Sequence, residues 1–229
     1  MPEADPRRPA VALVGFMGAG KSAVGRQLAA ALALPFLDTD DLIVAAAGSI
    51  PEIFEERGEQ GFRALEAEIV TAAIADAEEH PCVLALGGGA VLSAEVRAAL
   101  RRLAHVVWLT APASVLWSRV AASGTAERPL AGEEEAFRDL LAGREPLYRE
   151  VASRSVDTDG RSAAAVADEI AAIVGDPSAG DTEDPGTDSA ESGHAARSAG
   201  AAPSTRAASS AGAERPARAA GPAAEGRAR

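Results

Sequence analysis

Lysine is almost absent from this chain. Of 22 basic side chains one is lysine, Lys21, and the rest are arginine. A chain that uses arginine wherever else it wants a cation keeps Lys21 for a place that needs a compact point charge rather than a planar fork. Cysteine is equally scarce: Cys82 cannot form an intrachain disulfide, which excludes a disulfide scaffold and points to a reducing, cytoplasmic setting. Cys82 sits in an apolar run, where a buried structural thiol is expected. No apolar stretch is long enough to span a bilayer. Residues 1–9 are polar and lack the apolar core of a secretion signal. Residues 176–229 contain no Val, Ile, Leu, Met, Phe, Trp, Tyr or Cys. Without such side chains a segment cannot bury enough surface to offset its conformational entropy, so a disordered, low-complexity tail is expected there, with its partner unassigned. The domain is expected over 9–175, preceded by a flexible 1–8.

Net charge is −12, and −10 of it lies in residues 1–175. That balance disfavours a nucleic-acid partner. It leaves room for an anionic ligand in a local basic pocket. No internal repeat is present, and a monomer is the default.

What is there reads as alternating strands and helices. Short apolar runs at 10–14, 35–37, 82–86, 106–109 and 155–157 predict buried parallel strands. Helical periodicity covers 22–34, 42–47, 52–57, about 61–78, 94–103, 112–120, 134–148 and about 162–174. Residues 121–133 are polar and irregular, as in a lid. This alternation predicts an α/β fold, a parallel sheet covered on both faces, with ligands beyond the carboxyl ends of the strands.

The polar clusters fall where that rule places them. Gly15-Phe16-Met17-Gly18-Ala19-Gly20-Lys21-Ser22 matches the phosphate-binding pattern G-x-x-x-x-G-K-[ST] between a strand and a helix. Its main chain turns amides inward, Lys21 reaches the β- and γ-phosphates, and Ser22 offers a hydroxyl to Mg²⁺. Asp38-Thr39-Asp40 follows the second strand. One carboxylate can hold Mg²⁺, directly or through water, and the other can accept hydrogen bonds from substrate hydroxyls and take a proton. Helix capping by Asp40 or Thr39 is the structural alternative. Gly87, Gly88 and Gly89 follow the third strand and let another group approach the main chain. Arg63, Arg128 and Arg144 are candidates to neutralise developing charge or to grip a carboxylate with a planar fork.

In this order and spacing, the loop at 15–22, Asp38-Thr-Asp40, Gly58-Glu-Gln-Gly-Phe-Arg63 with Glu66, Gly87-Gly-Gly-Ala-Val91, Arg128-Pro-Leu130 and Arg144-Glu-Pro-Leu-Tyr148 resemble the shikimate kinase family over about residues 10–174. The resemblance implies a P-loop, nucleoside-monophosphate-kinase-like fold with a five-stranded parallel sheet in the order 2-3-1-4-5 and a mobile lid. It implies transfer of the ATP γ-phosphate to the 3-hydroxyl of shikimate, on the route to chorismate and the aromatic amino acids. By the same resemblance, Asp40 holds the reacting diol and acts as base. Arg63 and Arg144 hold the shikimate carboxylate, Gly87, Gly88 and Gly89 line that pocket, and Phe54 and Phe62 pack nearby. Gly18, Ala19, Gly20, Lys21, Ser22 and Ala23 bind ATP, Arg128 is the lid arginine, and Arg119 and Arg161 contact the adenine side. Asp38 becomes a water-mediated Mg²⁺ ligand beside Ser22. Two positions depart from the pattern: Ala23, where Thr is common, and Val44, where Glu is common. Rival readings are another small-metabolite kinase of this fold, such as a gluconate or nucleotide kinase, or a kinase-like binding protein without catalysis.

Overall fold

Val11–Val14 (β1) is fully buried, so it needs neighbours on both edges and cover on both faces. The sheet supplies them. Five strands, β1, Phe36–Asp38 (β2), Val83–Ala85 (β3), His105–Thr110 (β4) and Arg154–Asp157 (β5), run in the order β2-β3-β1-β4-β5. Every pairing is parallel. The computed structural model describes residues 9–122 and 134–175; Arg128 within 123–133, the leading residues 1–8 and the expected tail lie outside the described residues.

Seven helices connect and cover the described strands: Lys21–Leu32 (α1), Thr39–Ala47 (α2), Ile50–Glu79 (α3), Ala94–Leu100 (α4), Ala113–Ala122 (α5), Glu134–Val151 (α6) and Ala163–Gly175 (α7). Leu13, Leu28, Ile74, Leu84, Leu100 and Leu109 are fully buried in the core on the sheet. Each such side chain contributes about 1.5–3 kcal/mol of transfer free energy. Ile43, Ile53 and Phe62 form a separate cluster between α2 and α3. Among the described residues no helix is long and apolar enough to cross a membrane.

The sequence expectation of two helical pieces, 52–57 and 61–78, agrees with the structure: within Ile50–Glu79 two helices meet at a kink at Gly58 (φ 67°, ψ 179°). A side chain there would disfavour that left-handed φ, and glycine permits the kink. The start of α2 lies earlier than expected, at Thr39 rather than 42. Asp38 is the reason. Its carboxylate accepts from the Asp40 amide at 3.1 Å, so the cap is Asp38 and not Asp40 or Thr39. Pro146 stands inside α6 without ending it, which carries that helix on to Val151.

Candidate active site

The loop between β1 and α1 is held by backbone geometry. Gly18 and Gly20 have φ of 80° and 86°. At Gly18 a Cβ would lie 2.6 Å from the Leu116 carbonyl oxygen, so the loop packs main chain against main chain on α5. Ala19 is fully buried beneath it. The first turn of α1 carries no acidic residue, which leaves its positive dipole end available to an anion. Lys21 folds back over the loop, donating from Nζ to the carbonyls of Gly15 (2.8 Å) and Phe16 (3.1 Å). Ser22 donates from Oγ to the Asp38 carboxylate at 2.6 Å. Asp38 therefore serves two elements at once, accepting from the Asp40 amide and the Ser22 hydroxyl.

Starting a helix at Thr39 sends the two aspartates apart. Asp38 turns toward Ser22, whereas Asp40 comes to lie beside Gly87: a Cβ on Gly87 would meet the Asp40 carboxylate at 2.7 Å and the Glu66 carboxylate at 2.9 Å. Between them Thr39, fully buried, accepts the Gly87 amide at 2.9 Å. That bond ties the end of β2 to the end of β3 and sets the height of the glycine loop.

Met17, Gly18, Gly20, Lys21, Ser22, Ala23, Asp38, Asp40, Gly87, Gly88 and Arg119 line one cavity of about 390 Å³. It sits at the carboxyl ends of β1, β2 and β3, the place the parallel sheet designates. Arg119 reaches it from α5, donating to the Gly18 carbonyl (3.3 Å) and to Thr158 through both the hydroxyl (2.9 Å) and the carbonyl (2.7 Å). Arg161 lies outside that lining; it donates to the Asp157 and Ala165 carbonyls and pairs with Glu169.

On the far side of Gly88 lie two guanidiniums, Arg144 buried and Arg63 half-buried. Arg144 is 5% exposed, and donates to the Gly88 carbonyl at 3.3 Å. Arg63 pairs with Glu66 at 2.6 Å. It lies over the Phe62 ring, which in turn stacks on Phe54 with centroids 4.5 Å apart. The Arg63 guanidinium also occupies the space a Cβ on Gly89 would take. Both Arg63 and Arg144 keep a buried Nε with no hydrogen-bond partner. The Arg63 Nε lies 3.8 Å from the Glu59 carboxylate, an ion pair without a hydrogen bond. Buried charged donors without a hydrogen bond are costly, and an anion suits them. Burial pushes the Glu66 carboxyl above its usual range; the Asp40 charge adds to that, and the Arg63 guanidinium opposes it.

Sequence reasoning pointed to the loop, both aspartates, the glycines and the two arginines, but gave Thr39 only a capping alternative and gave no role to Glu66, Thr158 or Tyr148. Glu66 stood three residues after Arg63 and Tyr148 four after Arg144, the helical spacings at which side chains meet. Thr39 and Thr158 left no such signal, since each acts on a residue distant in the chain. Cys82 is buried as expected, and burial raises its thiol to about 11, away from nucleophilic use.

The family model for shikimate kinase matches residues 17–174. The chain belongs to the shikimate kinase family. The shikimate kinase of Symbiobacterium thermophilum is 45% identical over 164 residues, covering 70% of this chain and 92% of that protein. That of Mycobacterium tuberculosis is 47% identical over 175 residues, covering 74% of this chain and 96% of the relative. Among solved structures, the shikimate kinase from Acinetobacter baumannii, determined in complex with shikimate, superposes with a TM-score of 0.68 at 39% identity, covering 74% of this chain and 94% of its own. The sheet order of the shikimate kinase family expected from the motifs is the order observed.

Proposed function

We propose that this cavity performs the ATP-dependent phosphorylation of the 3-hydroxyl of shikimate, giving shikimate 3-phosphate and ADP, with each residue in the role its surroundings fit. The observation that carries the assignment is the pair of guanidiniums beside the glycine loop, buried Arg144 and half-buried Arg63, each with a buried Nε that makes no hydrogen bond. Their planar forks suit the shikimate carboxylate. Gly87, Gly88 and Gly89 bring main chain close to the ring, while Phe54 and Phe62 support Arg63. Asp40 receives the reacting hydroxyl. The 3-hydroxyl oxygen bonds to the γ-phosphorus, the bond to the β–γ bridging oxygen breaks, the hydroxyl proton passes to Asp40, and ADP leaves.

The P-loop amides of Gly18, Ala19 and Gly20, with Ala23 at the start of α1, cradle the phosphates. Lys21 exchanges its hold on the Gly15 and Phe16 carbonyls for the transferring oxygens, where charge spreads in the transition state. Arg119 and Arg161 belong to the nucleoside side. Arg128 completes the site as the lid arginine, an assignment that rests on its motif. Ser22 and Asp38 are oxygen donors in contact, the chemistry a hard divalent cation selects. Among the described residues no cluster of three or more ligating side chains exists, so Mg²⁺ would be held mostly by the phosphates, with Ser22 and water bound to Asp38 completing its shell. Bound there, Mg²⁺ supplies charge neutralisation. The same reading has the protein act as a cytoplasmic monomer without nucleic-acid or membrane partners.

The test is ADP release by purified protein given ATP, Mg²⁺ and shikimate, run beside gluconate and nucleoside monophosphates. Turnover with shikimate alone supports the assignment. Turnover with gluconate or a nucleotide and none with shikimate overturns it.

A further inference from the structure

Tyr148 is the sole tyrosine of the chain and has no part in the chemistry above. It is fully buried on α6, with its ring stacked on Trp108 at 5.9 Å between centroids. A phenylalanine would fill that space without bringing a hydroxyl into the core. The hydroxyl donates to the Gly88 carbonyl at 2.6 Å. One helical turn earlier, Arg144 donates to the same carbonyl at the longer distance of 3.3 Å. The Arg144 guanidinium also lies over the Phe16 ring, 5.4 Å from its centroid, and its Nε has no partner. One carbonyl thus has two donors, a short one from the phenol and a long one from a guanidinium.

A carbonyl has two lone pairs and can accept both bonds while the cup is empty. An incoming carboxylate competes for the guanidinium. When Arg144 turns to it, the buried Gly88 carbonyl keeps a donor only if the phenol stays. Burial raises the phenol well above its ordinary range, so it remains a proton donor throughout the neutral interval.

We infer that Tyr148 is a positioning residue: it satisfies the Gly88 carbonyl so that the Arg144 guanidinium is free to grip the substrate carboxylate. The inference rests on the reading of Arg144 as the carboxylate holder. Without the hydroxyl, the carbonyl would hold Arg144 as its one remaining side-chain donor, and substrate would have to displace it.

Steady-state kinetics of Tyr148→Phe, Arg144→Ala and the double variant test this. Tyr148→Phe is expected to raise KM for shikimate about five- to tenfold, the scale of one net hydrogen bond, with kcat and KM for ATP within about twofold. In the Arg144→Ala background the same change adds less than about twofold, because its effect passes through Arg144. A purely structural role would lower the melting temperature and leave KM for shikimate alone; that result, or an equal effect with Arg144 absent, overturns the inference. If Arg144→Ala itself leaves shikimate binding intact, the carboxylate reading falls. If Arg144→Ala weakens shikimate and Tyr148→Phe does not, the Tyr148 inference alone falls. Wild-type protein carrying 3-fluorotyrosine adds a readout independent of the variants' folding. Its single ¹⁹F resonance should move on shikimate saturation, and a fixed resonance overturns the proposal.

Discussion

The two sides of the glycine loop, a phosphate end and an acid end on the reading above, are built on different principles. The phosphate end is made of main chain: glycines in left-handed conformations, a helix start, and a lysine and an arginine whose donors rest on carbonyls of the P-loop itself. The acid end is made of long side chains: Arg63 pairs with Glu66 and Glu59, Arg144 lies over Phe16, and each keeps a buried Nε that makes no hydrogen bond. One end is satisfied by its own backbone and would trade those bonds for ligand. The other would gain hydrogen bonds only when ligand arrives. The phosphate end should therefore tolerate being empty with little strain, while the acid end derives its selectivity from the cost of standing empty.

The largest effects should come from the groups that meet the transferring phosphoryl and its acceptor. Lys21→Ala, Asp40→Asn and Arg63→Ala should each lower kcat/KM by at least ~10²–10³ while the melting temperature stays close to wild type. Retention of more than half the wild-type rate in any of them removes that residue from the machinery.

Matched glycine substitutions separate the two ends. At Gly18 a new Cβ meets the Leu116 carbonyl oxygen, an atom that cannot move aside, and the φ of 80° is strained for alanine. Gly18→Ala should cost about 1–3 kcal/mol of stability, several degrees of melting temperature, along with activity. At Gly89 the Cβ meets the Arg63 guanidinium, the end of a flexible side chain. Gly89→Ala should fold normally and raise KM for shikimate tenfold or more, about 1.4 kcal/mol, leaving KM for ATP within about twofold. If both variants behaved alike, the contrast between backbone-built and side-chain-built ends would fail.

A smaller effect follows from Glu66. Its folded-state carboxyl titrates above the unfolded one, chiefly through burial. Below the ordinary carboxyl range both states are protonated and the group contributes nothing. As pH rises from that range through the raised folded value, the unfolded chain ionises first, so the native state loses stability. Wild type should therefore lose stability relative to Glu66→Gln across that interval in denaturant titrations at stepped pH. The opposite slope would mean that Arg63, rather than burial, governs the carboxyl. Smallest of all should be truncation after Gly175: residues 176–229 carry none of the large apolar side chain types, so kcat and melting temperature are expected to match the full chain.

The same contrast explains what could be read from the residues alone. Backbone-built sites announce themselves as contiguous strings: the P-loop was legible because strand, glycines, lysine and helix start follow one another within twelve residues of chain. The glycine loop was legible in the same way, whereas the strand order came only from the family resemblance. The acid end is assembled from α2, α3, α6 and the loop after β3, and its supporting bonds cross long stretches of chain, 48 residues from Thr39 to Gly87 and 60 from Gly88 to Tyr148. No local pattern encodes such a pairing. The capping role of Asp38 was missed for a related reason. Asp40 and Thr39 were the expected caps, and only the backbone turn at the end of β2 places the cap at Asp38.

One feature of the phosphate end reaches beyond catalysis. Lys21 provides the sole ε-amine in 229 residues, and its nitrogen rests on two carbonyls inside the nucleotide cavity. A lysine-directed acylating reagent thus has one side-chain target, which a bound triphosphate would cover on the reading above. Labelling at Lys21, resolved from the α-amino group by peptide mapping, would then count vacant nucleotide sites. Conversely, coupling the protein to a surface through side-chain amines would silence every molecule it captured.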